Sequence, residues 1–215
     1  MKLNELVSKY KAFIFDFDGV IVDSIEIKSE AFAQLFVDLG PEVMEKVKAY
    51  HLSHGGVSRY EKFKYYYRTF RGREITAEES ADLDQQYSDL VVRKVIEADA
   101  IPGVMDFLSL IKASGKFCCV VSATPQDEIR YIVKERKLSS FFVEVLGSPR
   151  SKKENVGIII DKNGLVAQET VYFGDAKSDY EAAKAYGVSF IGVTYSFDGE
   201  LRDIEGIKKI KDFSN

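Results

Sequence analysis

Short apolar runs alternate with amphipathic stretches along most of the chain, and this alternation predicts an α/β fold. The apolar runs that predict strands cover residues 12–17, 116–123, 142–148, 169–175 and 189–194. Helical spacing of apolar residues predicts helices over residues 102–115, 126–137, 151–161 and 176–186. Strands and helices that alternate in this way form a doubly wound, mainly parallel, Rossmann-like sheet. The partly alternating tail at 206–215 predicts a further strand at the edge of that sheet.

A long stretch without strand signals separates the first strand from the second, and it predicts an inserted helical unit. Helical patterns cover residues 26–39, 43–52, 58–70 and 76–98. Two of these helices open with a capping box, because a glutamate follows Ser58 and Thr76 by three residues. Asp23 and Ser24 are predicted to cap the first helix of the unit. The chain is therefore divided into core residues 1–23, an all-α cap at 24–98 and core residues 99–215.

Polar side chains collect where the predicted strands end, which is where open α/β sheets carry their reactive groups. Asp16 and Asp18 follow the first strand, and Ser122 and Thr124 lie at the end of the second. Asp175 follows the fourth strand, with Asp179 about one helical turn later. Two carboxylates one residue apart repel each other when they leave water, and a divalent cation would offset that repulsion. The pattern therefore predicts a Mg²⁺ site, because this ion prefers carboxylates and phosphate oxygens.

A lysine pair adds a phosphate-binding group to these acids. Ser151 and Glu154 form a capping-box pattern that places Lys152 and Lys153 in the first turn of a helix. Cations are unfavourable there because of the helix dipole, so a nearby phosphate would explain them. Several acids, a hydroxyl and a lysine together suit phosphoryl transfer through a covalent aspartate intermediate.

Four stretches of the chain resemble, in the usual order, the motifs of the haloacid dehalogenase superfamily. They are DFDGV at 16–20, Val121-Ser122, Lys152, and GDAKSD at 174–179. The resemblance covers essentially the whole chain, and the helical insertion resembles that of the subgroup whose cap follows the first motif. It implies a Mg²⁺-dependent phosphatase that hydrolyses a small phosphorylated metabolite, of the sugar phosphate or phosphoglycolate type, through an aspartyl-phosphate.

The resemblance also implies a role for each acid. Asp16 would be the nucleophile and a metal ligand. Asp18 would be the general acid and then the general base, and its backbone carbonyl would bind the metal. Asp175 would complete the Mg²⁺ shell, and Asp179 would support either the metal or the lysine.

The remaining implied residues bind substrate. Ser122 and Lys152 would hold the phosphate, with Lys153 as the alternative lysine. The run GGVSRYEKF at 55–63 resembles the cap loop of β-phosphoglucomutase-like proteins, in which an arginine contacts the non-reacting part of the substrate. This resemblance makes Arg59 a candidate for that role, and the alternative is an exposed residue in the first turn of a helix.

Two other functions stay open at this point. One is a phosphosugar mutase of the same fold, although Lys28 occupies the position where that subgroup typically has a histidine. The other is a binding or regulatory module without catalysis, against which the intact acids argue. His51 and His54 could form part of a metal site, but a third ligand is not evident.

Composition and charge exclude several kinds of partner. Hydrophobic residues make up 46% of the 215 residues, the net charge is -4, and the basic residues are scattered, so we predict no nucleic-acid partner. No apolar run is long enough to span a bilayer and the start of the chain lacks a signal-peptide pattern, so we predict a cytoplasmic protein without a membrane partner. Neighbouring residues in a strand point to opposite faces, so Cys118 and Cys119 are predicted to be two buried thiols.

Overall fold

The computed structural model describes residues 3–196 and 199–214, and within them it confirms the α/β fold. The strands are β1 (Ala12–Phe15), β2 (Phe117–Pro125), β3 (Glu144–Ser148), β4 (Thr170–Gly174), β5 (Ser189–Val193) and β6 (Lys208–Ile210). They form one sheet in the order β3-β2-β1-β4-β5-β6, and each neighbouring pair is parallel. The predicted edge strand in the tail is confirmed as β6.

Helices precede, follow and connect these strands. They are α1 (Leu3–Lys9), α2 (Ile25–Gln34), α3 (Pro41–Leu52), α4 (Arg59–Tyr66), α5 (Ala77–Glu97), α6 (Val104–Ala113), α7 (Gln126–Glu135), α8 (Lys152–Asn163) and α9 (Lys177–Ala185). The capping boxes that open α5 and α8 are both formed. None of the described helices is long and apolar enough to cross a membrane.

The strand order reverses beside β1, and this reversal fixes where a ligand can bind. From β1 the chain passes to β2 and β3 on one side, then returns to β4, which pairs with the other side of β1. In open α/β sheets a ligand binds in the crevice outside the carboxyl ends of strands at such a switch point. The residues that follow β1 and β4 therefore share one crevice.

β1 and α2 both end earlier in the structure than the sequence pattern indicated. β1 ends at Phe15 rather than at residue 17, because the chain turns back and the amides of Ile21 and Val22 bond to the carbonyl oxygen of Phe17. α2 ends at Gln34 rather than at residue 39, and a separate 3₁₀ turn at Val37–Leu39 precedes the next helix.

Alternate residues of the sheet bury against its two faces. Phe13 and Phe15 of β1 pack with Phe107 of α6 on one face, whereas Ile14 packs with Val156 of α8 on the other. Cys118 and Cys119 divide between the two faces and are buried free thiols, as predicted. A strand that is buried on both faces has apolar residues at consecutive positions, and these apolar runs allowed the strands to be predicted from the sequence.

Residues 24–98, all of which the structure describes, contain helices and turns and no strand. An aromatic cluster joins these helices. Phe32 of α2 lies with its ring centroid 4.2 Å from that of Tyr87 of α5 and 6.0 Å from that of Phe63 of α4. This helical segment also contacts the remainder of the chain, which contains the sheet and is called the sheet unit below, since α5 packs against α7.

Candidate active site

The loop after β1 brings Asp16 and Asp18 to the crevice at the switch point. The amide of Asp16 donates to the carbonyl oxygen of Phe173 at 2.9 Å, which fixes Asp16 against the end of β4. Gly19 then takes a positive φ of 74°, and a Cβ at this position would lie 2.4 Å from Oδ2 of Asp175. Both the left-handed backbone and the close carboxylate therefore require glycine in this turn.

Lys152 joins the acids that follow β1 and β4. Its Nζ donates to Oδ2 of Asp16 at 2.6 Å and lies 2.7 Å from Oδ1 of Asp179. The lysine side chain is 3% exposed and that of Asp179 is fully buried. The neighbouring Lys153 is exposed, because consecutive helical residues point in different directions. Of the two candidate lysines, the structure places Lys152 among the acids.

Asp16, Asp175 and Asp179 form a carboxylate cluster, with one oxygen of each lying within 4.8 Å of the others. The oxygens of Asp179 already accept hydrogen bonds from the hydroxyl of Tyr172 at 2.6 Å and the amide of Ala176 at 3.1 Å. Together with the ion pair to Lys152, these contacts give both carboxylate oxygens of Asp179 a partner within the protein. Asp16 and Asp175 are therefore the acids with most capacity left for a cation.

The protonation of these acids reflects their crowding. Burial raises the pKa of Asp16 to about 7 even though the Lys152 ammonium lowers it, and the carboxylates of Asp179 and Asp18 add to the rise. Burial, and then the Asp16 carboxylate, raises the pKa of Asp175 well above its ordinary value. Burial acts against the charged form of Lys152, but Asp16 and Asp179 hold the pKa of this ammonium above its ordinary value. The cluster carries more negative charge than one lysine offsets.

Asp18 has a different environment from Asp16. Its carboxylate accepts hydrogen bonds from Ser24 at 2.6 Å, from Lys28 at 2.5 Å and from Thr124 at 3.2 Å. Burial alone would raise the pKa of Asp18, but the Lys28 ammonium and these hydrogen bonds together lower it. The pKa values of Asp16 and Asp18 are thus shifted in opposite directions, which is typical of neighbouring acids with different chemical roles.

Two of these contacts differ from what the sequence indicated. Ser24 stands at the N-cap position of α2, but its hydroxyl makes no cap hydrogen bond and instead donates to Asp18. Lys28, considered in the sequence only as a departure from the mutase pattern, also donates to Thr124 at 2.8 Å. Lys28 therefore ties α2 to both the first and the second strand ends.

Ser122 is buried within β2, which continues to Pro125, and its hydroxyl oxygen accepts from the amide of Thr124 at 3.1 Å. Ser122 is not among the residues that line the central cavity, whereas Ala123 and Thr124 are. Thr124, which the sequence placed with Ser122 at this strand end without a role, therefore lines the cavity and contacts Asp18.

Arg59 is buried rather than exposed, and acidic groups surround it. Its guanidinium donates to Asp84 at 2.9 Å, to Ser88 at 2.8 Å and to Glu128 of α7. It also lies 4.5 Å from the ring centroid of Tyr87. Arg59 borders the cavity, but these contacts direct its donors toward α5 and α7. The ion pair with Glu128 links the helical segment to the sheet unit.

One cavity joins these groups. Its wall from the sheet unit includes Asp16, Asp18, Thr124, Lys152 and Asp175, and its wall from the helical segment includes Lys28, Phe32, His51, Arg59, Lys62 and Tyr87. His51 and His54 do not face a common site, since His51 bonds Lys62 while His54 stacks on Tyr50. Among the described residues, the carboxylate cluster is the one group of three or more potential metal ligands.

Comparison with known proteins gives one family and a consistent set of similar proteins. A family model described as "Haloacid dehalogenase-like hydrolase" matches residues 13–193. A phosphoglycolate phosphatase of Aliivibrio fischeri is 27% identical over 197 residues, which is 87% of this chain and 86% of that protein.

Solved structures share the fold. A β-phosphoglucomutase of Clostridium difficile superposes with a TM-score of 0.74 at 20% identity, covering 95% of this chain and 92% of that one. CbbY of Rhodobacter sphaeroides, in complex with xylulose-(1,5)bisphosphate, superposes with a TM-score of 0.77 at 16% identity, covering 95% of both chains. At these identities the two structures support the fold alone.

Proposed function

This chain belongs to the haloacid dehalogenase-like hydrolase family and is a phosphatase, and we propose that it hydrolyses small phosphorylated metabolites through an aspartyl-phosphate. The observation that carries the proposal is the position of Asp16. This carboxylate lies at the switch point of the sheet, is bonded to Lys152 and faces Asp175 across the carboxylate cluster. The relatives named phosphoglycolate phosphatase support a small acidic phosphate ester as the substrate.

In the first step, a carboxylate oxygen of Asp16 attacks the phosphorus, and the bond between phosphorus and the ester oxygen breaks. Lys152 offsets the negative charge on the transferring group, because its ammonium is fixed between two carboxylates and cannot turn away. Asp18 passes a proton to the departing oxygen, which leaves as an alcohol. Because the Asp18 carboxylate is ionised before substrate binds, it takes this proton from the monoanionic form of the phosphate ester. Ser122 does not line the cavity in this arrangement, but its hydroxyl proton can still be donated, and in this proposal it is donated to a phosphoryl oxygen.

In the second step, Asp18 takes a proton from a water molecule as that water attacks the phosphorus of the aspartyl-phosphate. The bond between phosphorus and the Asp16 oxygen breaks, which releases phosphate and restores the carboxylate. The lowered pKa of Asp18 suits this step, since the Lys28 ammonium and two hydroxyls keep the carboxylate ionised and oriented.

The residues present fit a Mg²⁺ ion. Burial, and then the neighbouring carboxylates, raise the pKa values of Asp16 and Asp175. A hard divalent cation, which takes carboxylate oxygens as ligands, would stabilise their charged forms. Asp16, Asp175 and the backbone carbonyl of Asp18 would hold the ion, with Asp179 supporting Lys152. Bound there, Mg²⁺ would neutralise charge on the phosphoryl oxygens.

We further propose that residues 24–98 act as a cap over the site. The cavity between the two walls measures about 40 Å³, whereas a single water molecule needs roughly 10–15 Å³ of such space. In this proposal the helical segment moves away to let substrate into this small space, and it then packs against the bound substrate. Closure afterwards excludes water and completes the site.

A panel of phosphate esters with and without Mg²⁺ tests the proposed activity. The panel contains p-nitrophenyl phosphate, phosphoglycolate and several sugar phosphates, and released phosphate is measured. We expect release that depends on Mg²⁺ and stops when the ion is chelated with EDTA. Inactivity toward every ester with Mg²⁺ present would favour the binding or regulatory module instead.

Replacement of Asp18 by asparagine separates the two steps. The nitrophenolate group leaves without a proton donor, so the first step proceeds with p-nitrophenyl phosphate while the second lacks its base. We expect a burst of nitrophenolate equal to the enzyme concentration, followed by turnover reduced about 100- to 10,000-fold. Mg²⁺ binding should be retained, because the proposed ligand in Asp18 is its backbone carbonyl. Unchanged steady-state turnover would refute the role given to Asp18.

Mg²⁺ affinity is expected to rise with pH. Protons compete with the ion for the carboxylates, and the pKa of Asp16 in the metal-free protein is about 7. Between pH 6 and pH 8 this group changes from mostly protonated to mostly ionised, which strengthens binding about tenfold. Calorimetric titration at both pH values measures the change, with Asp175→Asn as a variant of weakened binding. Equal affinities at pH 6 and pH 8 would contradict the assignment of Asp16 as a ligand.

The mutase alternative is tested on the same preparation. A phosphosugar mutase releases and recaptures a bisphosphate, so β-glucose 1-phosphate primed with a bisphosphate would yield glucose 6-phosphate. The proposal predicts net release of inorganic phosphate and no isomerisation. Accumulation of glucose 6-phosphate without phosphate release would replace the phosphatase assignment with the mutase.

A further inference from the structure

A second pair of polar side chains lies in the cavity wall contributed by the helical segment. His51 of α3 and Lys62 of α4 both line the cavity, and both are buried, with exposures of 4% and 1%. The Nζ of Lys62 lies 2.7 Å from Nδ1 of His51. The mechanism above uses neither residue.

The hydrogen bond defines which proton His51 carries. An ammonium can only donate, so Nδ1 of His51 accepts and Nε2 holds the ring proton. Burial, and then the charges of Lys62 and Lys28, lowers the pKa of His51 well below its ordinary value, so the ring is neutral. Nε2 is buried and has no hydrogen-bond partner among the residues that the structure describes. A buried donor without a partner is uncommon in folded proteins, and this one lies on a residue of the cavity wall.

The surroundings keep this pair in place. The ring of Phe32 lies 5.2 Å from the ammonium of Lys62 and 4.8 Å from the ring of His51, measured to ring centroids. Arg59, by contrast, directs its guanidinium at Asp84, Ser88 and Glu128. His51, whose Nδ1 is held by Lys62 and whose Nε2–H remains to be bonded, is therefore the better candidate for binding a further anion in this cavity.

We propose that His51 and Lys62 form an anion-binding subsite for a second acidic group of the substrate, a carboxylate or a second phosphate. This inference rests on the proposed phosphatase function and names its substrate class. The Nε2–H group of His51 and the ammonium of Lys62 donate to the oxygens of the distal group. Across the same cavity, the reacting phosphoryl group faces Asp16 and Lys152. Substrates with an acidic remainder are selected over neutral ones of equal length.

Paired substrates measure this selection. Phosphoglycolate is compared with 2-hydroxyethyl phosphate, which has an alcohol in place of the carboxylate, and propane-1,3-diol bisphosphate is compared with propyl phosphate. We expect kcat/KM to favour the acidic member of at least one pair by roughly 10- to 100-fold, the range for a charge-assisted hydrogen bond. The pair that shows the larger ratio identifies whether carboxylate or phosphate is the distal group.

Variants assign the selection to the subsite. Lys62→Met and His51→Phe should bring the ratio close to one, and Lys62→Arg should restore part of it by returning a cation. Lys64→Met is the matched control, because Lys64 lies on the same helix, is exposed and pairs with Glu61; it should leave the ratio unchanged. Ratios that persist in both Lys62→Met and His51→Phe would overturn the proposal.

A binding measurement separates this proposal from the proposed activity. Phosphonoacetate carries a carboxylate and cannot be hydrolysed at phosphorus, and ethylphosphonate is its neutral-ended counterpart. Calorimetry on the wild-type protein should show tighter binding of phosphonoacetate by a similar factor, and Lys62→Met should abolish the difference. Selective binding without hydrolysis of any ester would refute only the phosphatase function. Equal binding of the two phosphonates together with ester hydrolysis would refute only the subsite.

Discussion

Replacing Asp16 with asparagine is expected to lower phosphate release by at least about 10,000-fold, the scale found when a covalent nucleophile is removed. An amide is a far weaker nucleophile than a carboxylate, and the change leaves the shape of the side chain intact. Oδ1 of Asp16 accepts from the amide of Phe17 at 2.6 Å, a bond that the amide oxygen of asparagine can also accept. The fold should therefore survive, and the loss should appear in kcat.

Folding of the variant provides the control for this loss. Removing one carboxylate relieves repulsion between Asp16, Asp175 and Asp179 but also removes the ion pair of Asp16 with Lys152. Because Lys152 keeps its ion pair with Asp179, the metal-free variant should still be folded and unfold cooperatively. Activity is measured with p-nitrophenyl phosphate and Mg²⁺. A variant that folds and retains more than a few per cent of wild-type turnover would exclude Asp16 as the nucleophile.

Replacing Lys152 with methionine is expected to have the second largest effect, on both activity and stability. Methionine matches the stem of lysine but leaves Asp16 and Asp179 facing each other without a cation. Breaking a buried ion pair by removing one partner costs about 3–5 kcal/mol, which thermal or urea unfolding of the metal-free protein measures. Turnover should fall about 1,000-fold, because the charge on the transferring phosphoryl group loses its fixed partner.

Lys153→Met is the matched control for Lys152→Met. Lys153 is the next residue of α8 and is exposed, so its replacement should leave both turnover and unfolding near the wild-type values. Equal loss of activity in the two variants would show that the bond between Lys152 and Asp16 is not what makes the first turn of α8 important. If Lys153→Met alone is inactive, the alternative lysine is the correct one.

The sheet could be predicted because its strands are buried on both faces. Apolar runs such as the one before Asp16 cannot be amphipathic helices, and each predicted strand was confirmed within a few residues. The acids after β1 and β4 could be expected to meet, because parallel strands at a switch point deliver their ends to one crevice. The ends of β1 and α2 were less predictable, since tertiary turns, rather than local pattern, terminate them.

Contacts between side chains that lie far apart in the sequence could not be predicted in the same way. Ser24 has the sequence character of a helix cap, and only the fold shows its hydroxyl turned to Asp18. Lys28 lies ten residues from Asp18 along the chain and meets it because α2 packs over the crevice. Arg59 matched a substrate-binding motif, yet its carboxylate partners come from α5 and α7. Such pairings depend on which helices pack together, and a single sequence does not encode that locally.

The location of a trapped phosphoryl group tests the central proposal most directly. The Asp18→Asn variant is mixed with p-nitrophenyl phosphate and Mg²⁺, quenched in acid during the burst, digested and examined by mass spectrometry. We predict one phosphoryl group per chain, attached to the side chain of Asp16. A phosphoryl group on any other residue, or a full burst with no covalently bound phosphate, would contradict the account.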